Sequence, residues 1–308
     1  SHGILIFNPL GVVYHLNQFC SMLLRSLLFV PGNQLNMLEK ALGLNPDAFI
    51  PDMEDSVPYS EKAVARQMIS DFLPQLSKTG IPIIPRVNSL KTSFMEDDIR
   101  AVVGSHIQGI SIGKIGTSQD IDRISQVLAD MESDLGLDHG SIKILPWIET
   151  ALGIVNVYSI LNSSRIMGAG FGAEDFTNDM GIERKQDDIE IMYPRAQVAI
   201  AARAAGVPAL DTPFFKFRDS DGLERDSLLS KRLGFKGKFA IHPSQIEPIN
   251  ISFSPSREQL EEARRIIDVY EKAERSGRAS TSLDGMVIDV PVVRRARALM
   301  DSVNLDRA

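Results

Sequence analysis

The stretch Arg25–Asp52, RSLLFVPGNQLNMLEKALGLNPDAFIPD, carries the decision about the fold. An apolar, strand-like run at Ser26–Val30 leads through Pro31-Gly32 into a helical pattern over Gln34–Leu42. A second apolar run follows at Ala48–Asp52. Two strands separated by a helix-length connection read as parallel neighbours joined by a crossover helix. The alternation continues through runs at Ile81–Val87, Gly109–Ile112, Lys143–Ile148, Arg165–Gly170, Val207–Leu210 and Phe239–Ile241. Helical patterns lie between them at Ser60–Leu76, Ser118–Leu135 and Met192–Ala205. Ser118 reads as the capped start of a stripe of Ile121, Ile124, Val127 and Leu128, and Gly206 as a helix stop. Eight strands in roughly 225 residues suit an α/β fold of the (β/α)8 TIM-barrel type, whereas a doubly wound sheet more often has five or six.

Outside that count lie two ends. Ser1–Leu24 has no Asp, Glu, Lys or Arg, but Asn8, Pro9, His15, Asn17 and Gln18 interrupt it well short of the roughly 20 apolar residues a membrane span needs. It is expected to be a leader or tag-derived extension, with Met22 as an alternative start. Residues 25–253 form the expected barrel domain. Residues 254–308 form a C-terminal helical extension or lid: a charged helix over Arg257–Ser276, a Gly/Ser-rich break, the segment Met286-Val-Ile-Asp-Val-Pro291 and a basic helix. With 44% hydrophobic residues in 308, one core suffices without staples. A net charge of −7 with no basic run disfavours a nucleic-acid groove, and a lone cysteine, Cys20, excludes an internal disulfide framework and fits a reducing cytoplasm.

Chemistry in such a barrel sits at the C-terminal ends of the strands. Asp52-Met-Glu-Asp55, Pro85-Arg-Val-Asn88, Lys114, Trp147-Ile-Glu-Thr150, Gly168–Phe176 and His242-Pro243 all fall there. Glu149 and Asp175, with no Cys or His cluster beside them, suit a hard cation that keeps several waters, which points to magnesium. Arg86 then faces an anion, its planar fork matched to a carboxylate. The plainer alternatives stand beside these: Asp52, Glu54 and Asp55 as helix caps or ion pairs, Arg86 as a barrel-top salt bridge, and His242 as a satisfied backbone partner. Gly168, Gly170 and Gly172 lack the dinucleotide fingerprint, and no zinc or nucleophile motif occurs.

Taken together and in order, Arg25–Gly32, Asp52–Asp55, Pro85–Asn88, Ile148–Thr150, Gly172–Phe176 and Ile241–Pro243 resemble the citrate lyase β-subunit (HpcH/HpaI aldolase/citrate lyase) family over about residues 25–300. The resemblance implies a Mg2+-dependent TIM-barrel lyase, similar to stand-alone citramalyl-CoA and malyl-CoA lyases, that cleaves β-hydroxyacyl thioesters by a reverse Claisen reaction. It places the metal on Glu149 and Asp175 and the substrate on Arg86. The Ile288-Asp289-x-Pro291 core resembles the family's lid segment, carried to an adjacent subunit, and makes Asp289 the acid/base. By similarity Phe29 and Pro31 contact the thioester arm, Lys62 and Arg66 meet its phosphates, and Gly172 and Ala173 offer backbone donors. The implied partners are a CoA thioester and a 2-keto acid, and the implied assembly is a homotrimer. Pyruvate and acetyl-CoA from (S)-citramalyl-CoA are the expected products, with malyl-CoA, or citryl thioester on a carrier protein, as alternatives. A class II aldolase is disfavoured because no histidine occurs between His15 and His106; a non-catalytic ligand-binding barrel is the reading from another class.

Overall fold

A computed structural model describes residues 5–7, 13–15, 22–185 and 187–305, so most of the expected leader, Cys20 included, lies outside the described residues. Eight parallel strands close into a barrel: β1 (Ser26–Pro31), β2 (Ala48–Asp52), β3 (Arg86–Val87), β4 (Gly109–Ile112), β5 (Lys143–Ile148), β6 (Ala169–Phe171), β7 (Ala209–Asp211) and β8 (Gly237–Ala240). Strand β8 pairs with β1, Lys238 opposite Ser26, which removes both sheet edges. Around them run α1 (Leu35–Ala41), α2 (Lys62–Leu76), α3 (Met95–Val102), α4 (Ser118–Leu135), α5 (Ala151–Ile160), α6 (Ala173–Met180), α7 (Ile189–Ala205), α8 (Ser220–Leu233) and α9 (Ile246–Phe253).

Two strands are shorter than their apolar runs. Within Ile81–Val87, Pro82 and Pro85 have no N–H to give the ladder, so regular pairing survives only at Arg86–Val87. The run still lies along the barrel, because the Pro82 and Pro85 carbonyls accept from Phe49 and Ser111 at 2.8 Å each. The sixth run touches β5 at a single Ile166–Ile144 bridge before pairing begins at Ala169. Thr117, not Ser118, caps α4, in a capping box with Asp120.

Alternate side chains of each strand face the helices or the barrel axis. The outward set, including Leu28, Phe49, Ile110, Ile144 and Phe171, forms one cluster with Ile69, Ile124, Val157 and Val198 of the helices. Inside, Phe29, Trp147 and Phe239 stack with ring centroids 4.1–5.8 Å apart. Gly170 makes room for them, since a Cβ there would lie 3.2 Å from both Trp147 and Phe239. The Trp147 indole N–H donates to Ser111 Oγ at 2.8 Å, so this aromatic plug closes the barrel without an orphan donor.

One buried charge network ties the last strands to the helix layer. Arg195 on α7 donates to Asp211 on β7 through Nε at 2.9 Å and Nη2 at 2.6 Å, and to Asp226 on α8 at 2.7 Å. Lys238 on β8 reaches Asp211 at 2.6 Å. Two cations thus face two carboxylates, and although burial favours the neutral acid, Lys238 and Arg195 hold the Asp211 carboxyl well below its usual range.

Contacts divide the chain into two compact units, the barrel over Leu24–Phe253 and a second unit from Ser254 onward. In the second, α10 (Arg257–Arg275), β9 (Thr281–Leu283), β10 (Met286–Ile288) and α11 (Val290–Leu305) gather around Ile266, Tyr270, Ile288 and Val293. The two short strands form a hairpin whose turn, Asp284-Gly285, has φ of 50° and 81°, the left-handed pair a tight turn requires. Asp289 sits at the start of α11, where its Oδ1 accepts from Val292 N–H at 3.2 Å and its carbonyl from Val293 N–H at 3.0 Å. Its carboxylate caps that helix, and Pro291 fits the first turn because no partner awaits its missing N–H.

Candidate active site

The expected polar residues converge at the C-terminal ends of β2 to β6. Asp52, the last residue of β2, is fully buried and grips Arg86 at the start of β3 with both oxygens: Nε to Oδ1 and Nη2 to Oδ2, each 2.7 Å. Its oxygens also accept from the main-chain N–H of Glu54 and Ser56. Burial alone would raise the Asp52 carboxyl, but Arg86 and these N–H groups outweigh it and hold the group below its ordinary value. Arg86 lies 4.5 Å above the Phe29 ring and reaches Asp55 at 3.1 Å and Glu54 at 3.4 Å through Nη1. A guanidinium stacked on a ring and clamped at one edge has little freedom left, which suits a fixed anion receptor.

Glu149 directly follows β5, just before Thr150, whose hydroxyl caps α5 by accepting from Gly153 N–H at 3.0 Å. Asp175 is not at a strand end: Gly172 caps α6, and Asp175 stands in its first turn, where a carboxylate meets the positive end of the helix. Glu149 is 4% exposed and accepts the Lys114 main-chain N–H at 2.7 Å. Its carboxyl, ordinarily near 4.5, is pushed up to about 8 by burial first, then by Asp175 and Glu54. Glu54 is raised as well, chiefly by burial, and its buried Oε2 has no hydrogen-bond partner while Oε1 accepts from Lys114 Nζ at 3.0 Å.

Five carboxylates, Asp52, Glu54, Asp55, Glu149 and Asp175, therefore gather with three cations, Arg86, Lys114 and, from beneath the turn, Lys62. With all five ionised, two negative charges are in excess, and a divalent cation would offset them. Glycines let the main chain close on Glu149: a Cβ at Gly113 would lie 2.7 Å from its Oε1, and one at Gly172 2.7 Å from its Cβ. The donors are all oxygen, which selects a hard ion. Among the described residues no three His, Cys, Asp or Glu side chains converge as a complete metal cage. A two-carboxylate site completed by water and substrate is the pattern magnesium uses.

The remaining expected residues have other partners. Lys62 is buried, donating to the carbonyls of Met53 at 2.9 Å and Glu54 at 2.6 Å, so it braces the acidic turn from below. Arg66 pairs with Asp98 at 2.8 Å. Gly172 N–H is used by Ile148 and Ala173 N–H by Thr212 Oγ1 at 3.2 Å. Phe29 is in the aromatic plug and Pro31 ends β1. His242 accepts from Ser244 N–H at 3.2 Å through Nδ1 and caps a short 3₁₀ turn. Glu54, expected only as a helix cap or ion pair, and Lys114, noted only by its place after a strand, are the residues whose part in the site the sequence did not reveal. The signal was there in Gly113-Lys114, a glycine and a cation directly after an apolar strand.

A family model described as HpcH/HpaI aldolase/citrate lyase matches residues 25–243. The citrate lyase subunit beta of Leuconostoc mesenteroides subsp. cremoris is 35% identical over 281 residues, covering 91% of this chain and 93% of that protein. A (3S)-malyl-CoA thioesterase of Cereibacter sphaeroides is 32% identical over 265 residues, covering 86% and 89%. The crystal structure of the protein CitE from Mycobacterium tuberculosis, in complex with magnesium, acetoacetate and coenzyme A, superposes with a TM-score of 0.77 at 24% identity over 92% of this chain and 99% of that one. At that identity the likeness shows the barrel fold. No helix among the described residues is long and apolar enough to cross a membrane.

Proposed function

This chain belongs to the HpcH/HpaI aldolase/citrate lyase family and is an enzyme of its carbon–carbon lyase type; from that premise we propose that it cleaves a β-hydroxyacyl-CoA by a reverse Claisen reaction with Mg2+. The proposed substrate is (S)-citramalyl-CoA, giving pyruvate and acetyl-CoA, in the cytoplasm and as a homotrimer, with malyl-CoA as the alternative substrate. The observation that carries the reading is Glu149: a buried acid, crowded by Asp175 and Glu54, that a divalent ion would keep ionised. The magnesium and coenzyme A of the Mycobacterium tuberculosis neighbour support the same assignment.

Glu149 and Asp175 would hold the ion, which supplies Lewis-acid polarisation of the 2-hydroxy acid end of the substrate. The chain's own groups do the rest. Arg86, fixed by Asp52 and Phe29, faces the negative charge that develops on the thioester oxygen as the bond between the acetyl carbon and the carbinol carbon breaks. Asp289 is the acid/base: it takes the proton of the carbinol hydroxyl as that oxygen becomes the keto oxygen, and returns it to the acetyl carbon of the thioester enolate. Phe29 and Pro31 shape the substrate's binding surface, and Lys62 supports it through the main chain of the acidic turn.

A second reading, the β chain of a multisubunit citrate lyase acting on a carrier-bound thioester, is favoured by the 35% identity to the Leuconostoc subunit. One assay separates the two: the purified chain, citramalyl-CoA and Mg2+, followed by keto-acid release. Pyruvate formed without a carrier protein, and stopped by EDTA, is the expected result. No turnover until a carrier thioester is supplied favours the subunit.

A further inference from the structure

Lys114 touches four of the five carboxylates of the site. Its main-chain N–H holds Glu149 Oε1 at 2.7 Å, and its ammonium donates to Glu54 Oε1 at 3.0 Å while lying 3.8 Å from Asp55 and 3.7 Å from Asp175. It does so with φ of 61°, a left-handed conformation that a lysine rarely adopts and that costs about 1 kcal/mol or more. Strain of this kind persists where surrounding contacts fix it, here contacts to carboxylates from two strand ends and the first turn of α6.

We propose that Lys114 is a substrate-binding residue for the carboxylate of the 2-keto acid, its ammonium held ready by Glu54, with Asp55 and one of the two side chains that take the divalent ion, Asp175, beside it. This rests on the reading of Glu149 and Asp175 as metal ligands. Arg86 is the poorer candidate for that carboxylate, since its Nε and Nη2 are committed to Asp52 and its side chain is 11% exposed. The Lys114 side chain is 27% exposed and has one close hydrogen bond, on a four-carbon stem that can turn. Because Lys114 and the ion both draw on Asp175, they repel one another across it, and the lysine lowers metal affinity while raising affinity for the keto acid.

Mn2+ binding, read by electron paramagnetic resonance on the full chain, and pyruvate binding to the Mn2+-loaded protein, read by calorimetry, test this. The variants are Lys114→Met, Lys114→Asn, which keeps the N–H and tolerates the left-handed backbone, and Lys114→Arg, with thermal melts as the check on folding. Met and Asn are expected to bind Mn2+ roughly tenfold more tightly, by removal of one like charge a few ångströms away, and pyruvate at least tenfold more weakly. Arg is expected to keep both affinities near those of the parent. Weaker or unchanged Mn2+ binding in Lys114→Asn with a normal melt, or unchanged pyruvate binding, overturns the proposal. Asp175→Asn separates the two readings. If the parent binds Mn2+ and Asp175→Asn does not, the metal assignment stands whatever Lys114 does; if the parent binds none, both fall.

Discussion

Replacing Glu149 by Gln removes a titration that the fold pays for in stability. In the unfolded chain this carboxyl ionises near 4.5; in the folded barrel burial, Asp175 and Glu54 push it to about 8. Between those values the folded protein binds more protons than the unfolded one, so the group's contribution to stability is complete below pH 4.5 and is lost as pH rises toward 8. Each pH unit in that window costs about 1.4 kcal/mol, so the loss approaches roughly 5 kcal/mol by pH 9 as an upper bound. Urea unfolding in EDTA at pH 5, 7 and 9 measures it. The parent is expected to lose stability relative to Glu149→Gln across the series, because the amide keeps the shape and does not titrate. At pH 9 saturating Mg2+ is expected to restore the parent and leave the variant unchanged. Parallel pH profiles for the two proteins would refute the placement of an uncompensated carboxylate at the end of β5.

Three further outcomes follow from single contacts. Gly172→Ala is sterically allowed by its φ of −107° but drives a methyl into the Glu149 carboxylate; Mn2+ affinity is expected to fall at least tenfold with only 1–3 kcal/mol lost in unfolding, and native affinity would show that this glycine does not set the glutamate's position. Asp289→Asn keeps a helix cap of equal quality, so stability should stay within about 0.5 kcal/mol while turnover falls by roughly 100-fold or more, whereas Asp289→Ala should also lose about 1 kcal/mol; full turnover in Asp289→Asn removes it as the acid/base. Lys238→Met leaves Asp211 and Asp226 buried with one cation, and chemical denaturation is expected to show a loss of about 3–5 kcal/mol.

The barrel was legible because its strands are short apolar runs and its helices carry a stripe with period near 3.6, and both patterns survive in a single sequence. Strand lengths were less so at Ile81–Val87, where apolar residues promise pairing that Pro82 and Pro85 cannot complete. Position at a strand end marked Arg86 and Glu149, because chemistry and topology coincide there. It misplaced Asp175, which belongs to the first turn of α6, since a position four residues beyond the strand already lies in the next helix. Partner choice was invisible. Nothing local in Asp52 says that it holds Arg86 across 34 residues of chain, or that Lys62 turns to carbonyls instead of solvent. The Asp284-Gly285 hairpin was readable from its turn pair flanked by Thr281–Leu283 and Met286–Ile288, and was passed over as a Gly/Ser-rich break. The buried Arg195–Asp211–Lys238–Asp226 network left no sequence signal, because its members are ordinary charged residues whose burial only the closed barrel determines.

The most direct test of the two-carboxylate site is anomalous diffraction from crystals soaked with Mn2+ and pyruvate. The expected result is one peak bound by Glu149 and Asp175 at roughly 2.1 Å, with its remaining ligands from pyruvate and water. A peak held by other side chains, or none beside Glu149 at a pH above 8, would contradict it.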